Sequence, residues 1–131
     1  MHLANLGANV VITGRDSERI KSVAGKCGKV SKQKIIGVVA DVLKDEDIKR
    51  LAKQTIDTFG RIDILVNNAG IGGMQSITSP DLMDSYEKVM NTNVRGVVFL
   101  TSLLVPYLEK TKGSIINISS VTGLRPVSNQ I

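Results

Sequence analysis

Short apolar runs alternate with amphipathic segments along most of the chain. Runs rich in β-branched residues at 9–13, 34–40, 63–67 and 114–119 predict four strands. Apolar residues that recur every three or four positions predict helices from about 16, over 44–59, from 79 and over 91–112. Because the strands are apolar on both faces and a helix follows each of the first three, the pattern predicts an α/β fold, a parallel sheet with helices on both faces.

Particular residue types mark where the helices begin and end. Residues 1–7 resemble the last turns of a helix that ends at Gly7, and Asp16 or Ser17 is a suitable cap for the next one. Gly60 is expected to end the helix over 44–59. Ser79 followed by Pro80 predicts a further start, and Pro106 is expected to bend the last helix or end it early.

The length and charge of the chain narrow the choice of function. A chain of 131 residues with 42% hydrophobic residues suits one domain over 1–131. The net charge of +5 owes part of its excess to five lysines within 21–34, which raises the question of nucleic-acid binding. There is no Trp, and two Phe and two Tyr offer no stacking platform, so we predict no nucleic-acid partner and a solvated helix end.

Other residue classes point away from metals and membranes. The single cysteine, Cys27, has no second ligand at metal-binding spacing and cannot form an internal disulfide, so we expect a reduced thiol and no metal. No apolar segment is long enough to span a bilayer, and the N-terminus lacks the pattern of a signal peptide. We therefore expect an intracellular, cytoplasmic protein without a membrane span.

Small and polar residues follow each predicted strand. In open parallel sheets, ligands bind beyond the carboxyl ends of the strands, so these residues are candidates for a site. Small residues allow close backbone approach, and one acid, one guanidinium and hydroxyls suit a nucleotide better than a metal. The candidates are Thr13-Gly14-Arg15, Asp41-Val42, Asn67-Asn68-Ala69-Gly70 and Ser119-Ser120.

Three segments in this order and spacing resemble the short-chain dehydrogenases/reductases: "DILVNNAG" (63–70), "NTNVRGVVFLT" (91–101) and "GSIINISSVTG" (113–123). "GANVVITGR" (7–15) and "ADV" (40–42) fit the same pattern. The resemblance implies a Rossmann-like doubly wound parallel sheet. It also implies an oxidoreductase that uses NAD(P)H on an alcohol/carbonyl pair, with a small substrate of that class.

The resemblance assigns cofactor-binding roles to residues at the strand ends. Asp41, followed by Val42, matches the acid that accepts a hydrogen bond from the adenine amino group, although it also suits a helix start. Asn67, Ala69 and Gly70 match the loop that forms the wall beside the cofactor riboses and ties the strands together. Arg15 follows the strand at which members that prefer NAD carry an acid. A guanidinium there favours NADP(H) over NAD(H), unless Arg15 only pairs with Asp16 or Glu18.

Two residues match catalytic positions of the family. Asn93 matches the helix asparagine that holds a water in the proton relay, whereas Asn91 suits a cap or surface role. Ser120 matches the serine that hydrogen-bonds the oxygen of the substrate, which leaves Ser119 as the last strand residue.

Two signatures of the family are absent from the 131 residues. There is no Thr-Gly-x-x-x-Gly-x-Gly turn for the pyrophosphate and no Tyr-x-x-x-Lys pair for acid/base catalysis. The first, central strand and the C-terminal part are therefore expected to be missing, which leaves two strand pairs with unpaired edges. We expect activity of this chain alone to be lost or very weak. The alternative is a non-catalytic fragment that associates with full-length subunits, since members commonly form homo-oligomers through helices that match 44–59 and 91–112.

Overall fold

The first 60 residues form a compact unit around one parallel strand pair. The computed structural model describes residues 1–73 and 75–125, and this first unit is Met1–Gly60. Its elements are α1 (His2–Asn5), β1 (Val10–Gly14), α2 (Ser17–Val30), β2 (Ile35–Val39) and α3 (Asp45–Phe59). The strands pair in parallel from Val10 opposite Ile35 to Gly14 opposite Val39.

The core of this unit comes from the apolar stripes of its helices. Ile20 of α2 lies so close to β2 that a Cβ at Gly37 would stand 2.5 Å from its Cγ2, so glycine is needed there for the close approach. Ile48, fully buried, anchors α3. The other buried apolar residues of the unit are Ala4, Cys27, Val38, Ala40, Leu51 and Ala52.

The second unit begins at Arg61 and is also built on a parallel pair. It contains β3 (Ile64–Asn67), α4 (Leu82–Met90), a π-helical turn (Asn91–Arg95), α5 (Gly96–Thr111), β4 (Ser114–Asn117) and a 3₁₀ turn (Val121–Gly123). Ile64 is opposite Ser114 and Asn67 is opposite Asn117. Its buried apolar residues are Ile62, Leu65, Leu100, Leu104 and Leu108.

Several predicted boundaries are confirmed. Asp16 caps α2, since its Oδ1 accepts a hydrogen bond of 3.0 Å from the backbone nitrogen of Arg19. Gly60 ends α3 with φ of 67°, and Gly7 follows the first helix with φ of 87°.

The predicted end of the last strand is wrong. Strand β4 ends at Asn117, so Ser119 lies in the loop beyond it and not in the strand as predicted.

The predicted start of a helix at Ser79-Pro80 is wrong, because α4 begins at Leu82. The backbone carbonyl of Ser79 accepts from the nitrogen of Leu82 at 3.2 Å, which closes a turn ahead of the helix. The hydroxyl of Ser79 donates to Oε1 of Gln75 at 3.1 Å. Local hydrogen bonds in the preceding loop therefore use the serine that the sequence favoured as a cap.

The predicted break near residue 91 and the early end at Pro106 are also wrong. The backbone nitrogen of Gly96 donates to the carbonyl of Asn91, a π-type bond that joins α4 to α5 without interruption. Helix α5 then continues past Pro106 to Thr111. Pro106 and Ser102 are both exposed, so water can solvate the Ser102 carbonyl that loses its helical donor.

Among the described residues the strands form two separate two-stranded sheets, as the sequence predicted. One face of the second sheet is open, with Ile64, Val66 and Ile116 exposed by 50%, 42% and 45%. In the described part of the chain, no helix combines the length and apolarity needed to cross a membrane.

Gly113→Ala is expected to lower the free energy of unfolding of the second unit by about 1–3 kcal/mol, the usual cost of overpacking. A Cβ at Gly113 would lie 2.6 Å from the carbonyl oxygen of Asp63 and 2.8 Å from Cδ2 of Leu108. Urea unfolding followed by tyrosine fluorescence measures this, since Tyr86 and Tyr107 both belong to the second unit. Gly72→Ala is the control, because nothing lies within 4 Å of a Cβ there. An equal unfolding midpoint for both variants contradicts the prediction.

Candidate functional site

In the first unit, Arg15 and Asp41 emerge from one edge of the strand pair. Strand β1 ends at Gly14 and β2 at Val39. The nitrogen of Ala40 donates to the Gly14 carbonyl at 2.8 Å and extends the ladder by one bond. Since the strands are parallel, Arg15 and the Asp41-Val42 pair lie just beyond the same carboxyl edge.

Asp41 keeps one carboxylate oxygen unused. Its Oδ1 accepts from the backbone nitrogen of Leu43 at 3.0 Å, and its carbonyl accepts from Lys44 at 2.9 Å. Among residues 1–73 and 75–125, none donates to Oδ2. Lys44, not Asp41, is the N-cap residue of α3, so Asp41 closes the preceding turn and does not start the helix. The side chain is half-buried and can offer one acceptor to a ligand.

Two residues that the sequence reasoning missed hold this turn. Asp47 Oδ2 accepts from the backbone nitrogen of Asp41 at 2.9 Å, and Asp47 Oδ1 pairs with Nη2 of Arg50 at 2.6 Å. The hydrogen bond from Asp41 and the Arg50 guanidinium lower the pKa of Asp47 below its ordinary value of 3.8. Its carboxylate therefore stays ionised to more acidic pH than an ordinary aspartate.

The guanidinium of Arg15 is exposed and available. Asp16 pairs with Arg19 at 3.3 Å and Glu18 pairs with Lys21 at 3.1 Å, so the two acids that could have engaged Arg15 bind other cations. Across the described ranges, no ion pair or hydrogen bond involves Arg15. The alternative that Arg15 is a surface partner of Asp16 or Glu18 is therefore not supported.

In the second unit, Asn67 ties the ends of β3 and β4 together. Its Nδ2 donates to Asn117 Oδ1 at 2.9 Å and to Thr101 Oγ1 of α5 at 3.3 Å. Its carbonyl accepts from the nitrogen of Ile118 at 2.9 Å. The side chain is 7% exposed, so its amide links the strands to α5. A place for Asn67 in a cofactor wall stays a prediction.

The side chain of Asn93 hydrogen-bonds the loop that follows β3. Its Oδ1 accepts from the backbone nitrogen of Ile71 at 2.9 Å, and its Nδ2 donates to the carbonyl of Ile71 at 2.8 Å. Gly70 lies against this amide, since a Cβ there would be 3.5 Å from Asn93 Oδ1. Both polar groups of the Asn93 side chain therefore bond the backbone next to Gly70, while Ala69 is exposed in the same loop.

Ser120 lies exposed beyond β4 and caps the 3₁₀ turn. Its hydroxyl oxygen accepts from the nitrogen of Thr122 at 3.3 Å and from Thr122 Oγ1 at 3.0 Å. A hydroxyl that accepts two bonds still has its own hydrogen to donate. Thr122 thus orients Ser120 with that hydrogen unused among the described residues.

One residue that the sequence analysis did not identify, Asn117, could have been recognised from the sequence. Asn117 interrupts an apolar strand, and in register it faces Asn67. Asp47, Arg50 and Thr122 gave no such signal, because acids near a helix start and threonines after a strand are common. Within the described ranges, no group of three or more His, Cys, Asp or Glu could hold a metal ion. Cys27 is free and 1% exposed.

Comparison with known proteins places this geometry in context. A plant protein named 11-beta-hydroxysteroid dehydrogenase-like 4A, from Arabidopsis thaliana, is 37% identical over 92% of this chain and 40% of its own length. Glucose dehydrogenase of Caenorhabditis elegans is 40% identical with a TM-score of 0.80, over 92% of this chain and 48% of that structure. A 7 alpha-hydroxysteroid dehydrogenase complexed with NADH is 28% identical with a TM-score of 0.88, over 96% of this chain and 49% of that structure.

These similarities confirm the predicted α/β, Rossmann-like fold. The chain spans about half the length of the solved structures and less of the plant relative. The family model described as short chain dehydrogenase matches residues 1–131. The chain belongs to the short-chain dehydrogenase family of oxidoreductases.

Proposed function

We propose that residues 1–131 belong to an NADP(H)-dependent oxidoreductase that interconverts an alcohol and a carbonyl group. Ser120 carries the proposal, because Thr122 holds its hydroxyl oxygen and leaves its hydrogen free to donate. The free hydrogen of Ser120 donates a hydrogen bond to the substrate oxygen and polarises the carbonyl group. A bound nicotinamide cofactor supplies the hydride in reduction and accepts it in oxidation.

The first unit fits the adenosine end of such a cofactor. Asp41 offers a carboxylate oxygen to the adenine amino group beside Val42. Arg15 is exposed with its guanidinium unpaired in the described part of the chain, which suits a 2′-phosphate and supports NADP(H) over NAD(H). In the second unit, taken by itself, Asn67, Ala69 and Gly70 are the residues that match the wall beside the riboses in the family.

Asn93 acts by holding the loop after β3, because its side-chain amide is committed to Ile71. Nδ2 keeps a second hydrogen and Oδ1 a second lone pair, so the amide can still hold the relay water of the family. The protein is cytoplasmic, its substrate is a small carbonyl compound or alcohol, and it assembles as a homo-oligomer.

The 131 residues contain no Tyr-x-x-x-Lys pair and no glycine-rich phosphate turn. Proton exchange with the substrate oxygen needs a general acid/base, and tight pyrophosphate binding needs backbone donors at a helix N-terminus. This chain alone therefore neither binds dinucleotide tightly nor turns over substrate. The chemistry is a property of a protein that also carries both signatures.

A chimera tests the proposal. Residues 1–131 replace the matched segment of C. elegans glucose dehydrogenase, and the chimera is expected to oxidise glucose faster with NADP⁺ than with NAD⁺. Ser120→Ala should lower kcat/KM about a hundredfold, as loss of one donor to a reacting oxygen does. The 131-residue chain is the negative control, expected to show no turnover and weaker than micromolar affinity for NADPH. Full activity in Ser120→Ala refutes the role of Ser120.

The same chimera tests the choice of cofactor. Arg15→Ala should lower the NADP⁺ to NAD⁺ ratio of kcat/KM about tenfold, the scale of a lost charge-assisted hydrogen bond. Arg19→Ala is the matched control, since Arg19 is equally cationic but already paired with Asp16. Equal effects of both substitutions contradict a 2′-phosphate site at Arg15.

Asn93→Ala should speed amide exchange at Ile71 about tenfold, because the backbone of Ile71 then loses both side-chain partners. Hydrogen exchange of the 131-residue chain, read by NMR, measures this. Asn91→Ala is the control, since Asn91 is exposed and, within the described ranges, makes no hydrogen bond to Ile71. Unchanged exchange in Asn93→Ala shows that the Asn93 side chain does not hold the loop.

A second function, association with full-length subunits of the family, is favoured by one surface. Exposed apolar residues recur every three or four positions along the continuous helical segment from α4 to α5. Their exposed fractions range from 38% to 62%, and an exposed apolar patch is a typical mark of a protein interaction surface. These residues, which we call the helical stripe, are Met83, Tyr86, Met90, Val94 and Val98.

The helical stripe predicts that the 131-residue chain co-purifies with a full-length relative such as the plant protein. Val98→Glu should reduce the recovered complex at least tenfold, because a charge in an apolar contact is costly to desolvate. Lys110→Glu, a charge change at the far end of α5, should leave recovery unchanged. A monodisperse chain that binds NADPH and captures no relative excludes this function.

A further inference from the structure

Two side chains of α3 hold the backbone at the end of β2. Arg50 Nη2 donates to the carbonyl of Val39 at 2.9 Å and to Asp47 Oδ1 at 2.6 Å. Asp47 Oδ2 accepts from the nitrogen of Asp41 at 2.9 Å. Asp47 and Arg50, which we call the α3 clamp, therefore bond the peptide groups on both sides of Ala40.

The α3 clamp restricts the backbone around Ala40. Ala40 is 3% exposed, and its nitrogen is bonded to Gly14 of β1. The backbone cannot shift at Asp41 without breaking the bond to Asp47. The turn that follows fixes Oδ1 of Asp41 on Leu43. Together these bonds determine where the second oxygen of the Asp41 carboxylate is presented.

Helix capping does not account for Asp47. Asp45, Glu46 and Asp47 all lie in the first turn of α3, where negative charge is favourable. Glu46 lies on the surface, where its side chain is 84% exposed and pairs with Lys49. The Asp47 side chain is only 26% exposed, and one of its oxygens accepts from Asp41, outside the helix.

We propose that Asp47 and Arg50 are positioning residues that set the preference of Asp41 for an amino-bearing purine. The inference rests on the proposed function, in which Asp41 accepts from the adenine amino group. A carboxylate oxygen discriminates well only when its direction is fixed, because a mobile acceptor can turn away from a ligand that lacks the donor. The clamp supplies that fixed direction from a neighbouring helix.

The test uses two nucleotides that differ at one position of the purine. Adenosine 5′-monophosphate carries an amino group where inosine 5′-monophosphate carries a carbonyl oxygen, which a carboxylate repels. NMR titration of the 131-residue chain gives both dissociation constants even in the millimolar range. We expect the wild type to prefer the adenine nucleotide about tenfold, the scale of a hydrogen bond to a charged group.

Asp47→Ala and Arg50→Ala should each reduce this preference to about twofold, since the Asp41 turn loses its anchor. Asp47→Asn should keep most of it, because an amide oxygen still accepts from the nitrogen of Asp41. Glu46→Ala, in the same turn, is the matched control and should change nothing. If Asp47→Ala fails to fold, as judged by its amide spectrum, Arg50→Ala carries the test, with Asp47→Asn as the conservative variant that keeps the preference.

Asp41→Asn distinguishes the α3 clamp from the adenine site itself. The asparagine keeps an oxygen that accepts from Leu43 and replaces the other oxygen by an amino group. Loss of the preference in Asp41→Asn, with no further loss when Asp47→Ala is added, supports a clamp that acts through Asp41. Loss in Asp41→Asn but not in Asp47→Ala or Arg50→Ala overturns the clamp and leaves the adenine site intact. A wild type without preference overturns the adenine site of the proposed function, and the clamp with it.

Discussion

In both units two successive strands run parallel, so the chain must travel back along the sheet between them. Helix α2 makes that return between β1 and β2, and the segment from α4 to α5 makes it between β3 and β4. Parallel pairing thus brings the carboxyl ends of each pair to one edge. Arg15 and Asp41 in one unit lie just beyond such an edge for this reason, and in the other unit Asn67 ends β3 while Ser120 lies beyond the end of β4.

Each edge is held by side chains that hydrogen-bond the backbone or a neighbouring strand. Asp47 and Arg50 hold the backbone before and after Ala40. Asn67 bonds Asn117 across the strands, and Asn93 bonds Ile71 in the loop after β3. Polar groups that are satisfied inside the protein make rigid supports, because breaking one leaves a desolvated donor or acceptor. Asp41 Oδ2, the Ser120 hydrogen and the Arg15 guanidinium have no partner within the described ranges, so each of them can serve a ligand.

The strand pairs themselves are less well supported. A two-stranded sheet is marginal on its own, and parallel sheets are normally covered on both faces. The open face at Ile64, Val66 and Ile116 and the helical stripe from Met83 to Val98 are both apolar and exposed. Burial of these surfaces would add hydrophobic stabilisation.

The sequence by itself determined the element types, the parallel α/β arrangement and the positions of the site residues at the strand ends. These features depend on local signals in the sequence, such as strong hydrophobic periodicity, Gly60 and the Asn-Asn-Ala-Gly loop. The structure agrees with what these signals predict. The folded structure decided the rest. Hydrogen bonds of Ser79 within its own loop and turn moved the start of α4, and the exposure of Ser102 and Pro106 lets α5 continue. A tertiary contact joins Asn93 to a loop 22 residues away in sequence. Hydrogen bonds between residues distant in the chain depend on how elements pack, which no local pattern encodes.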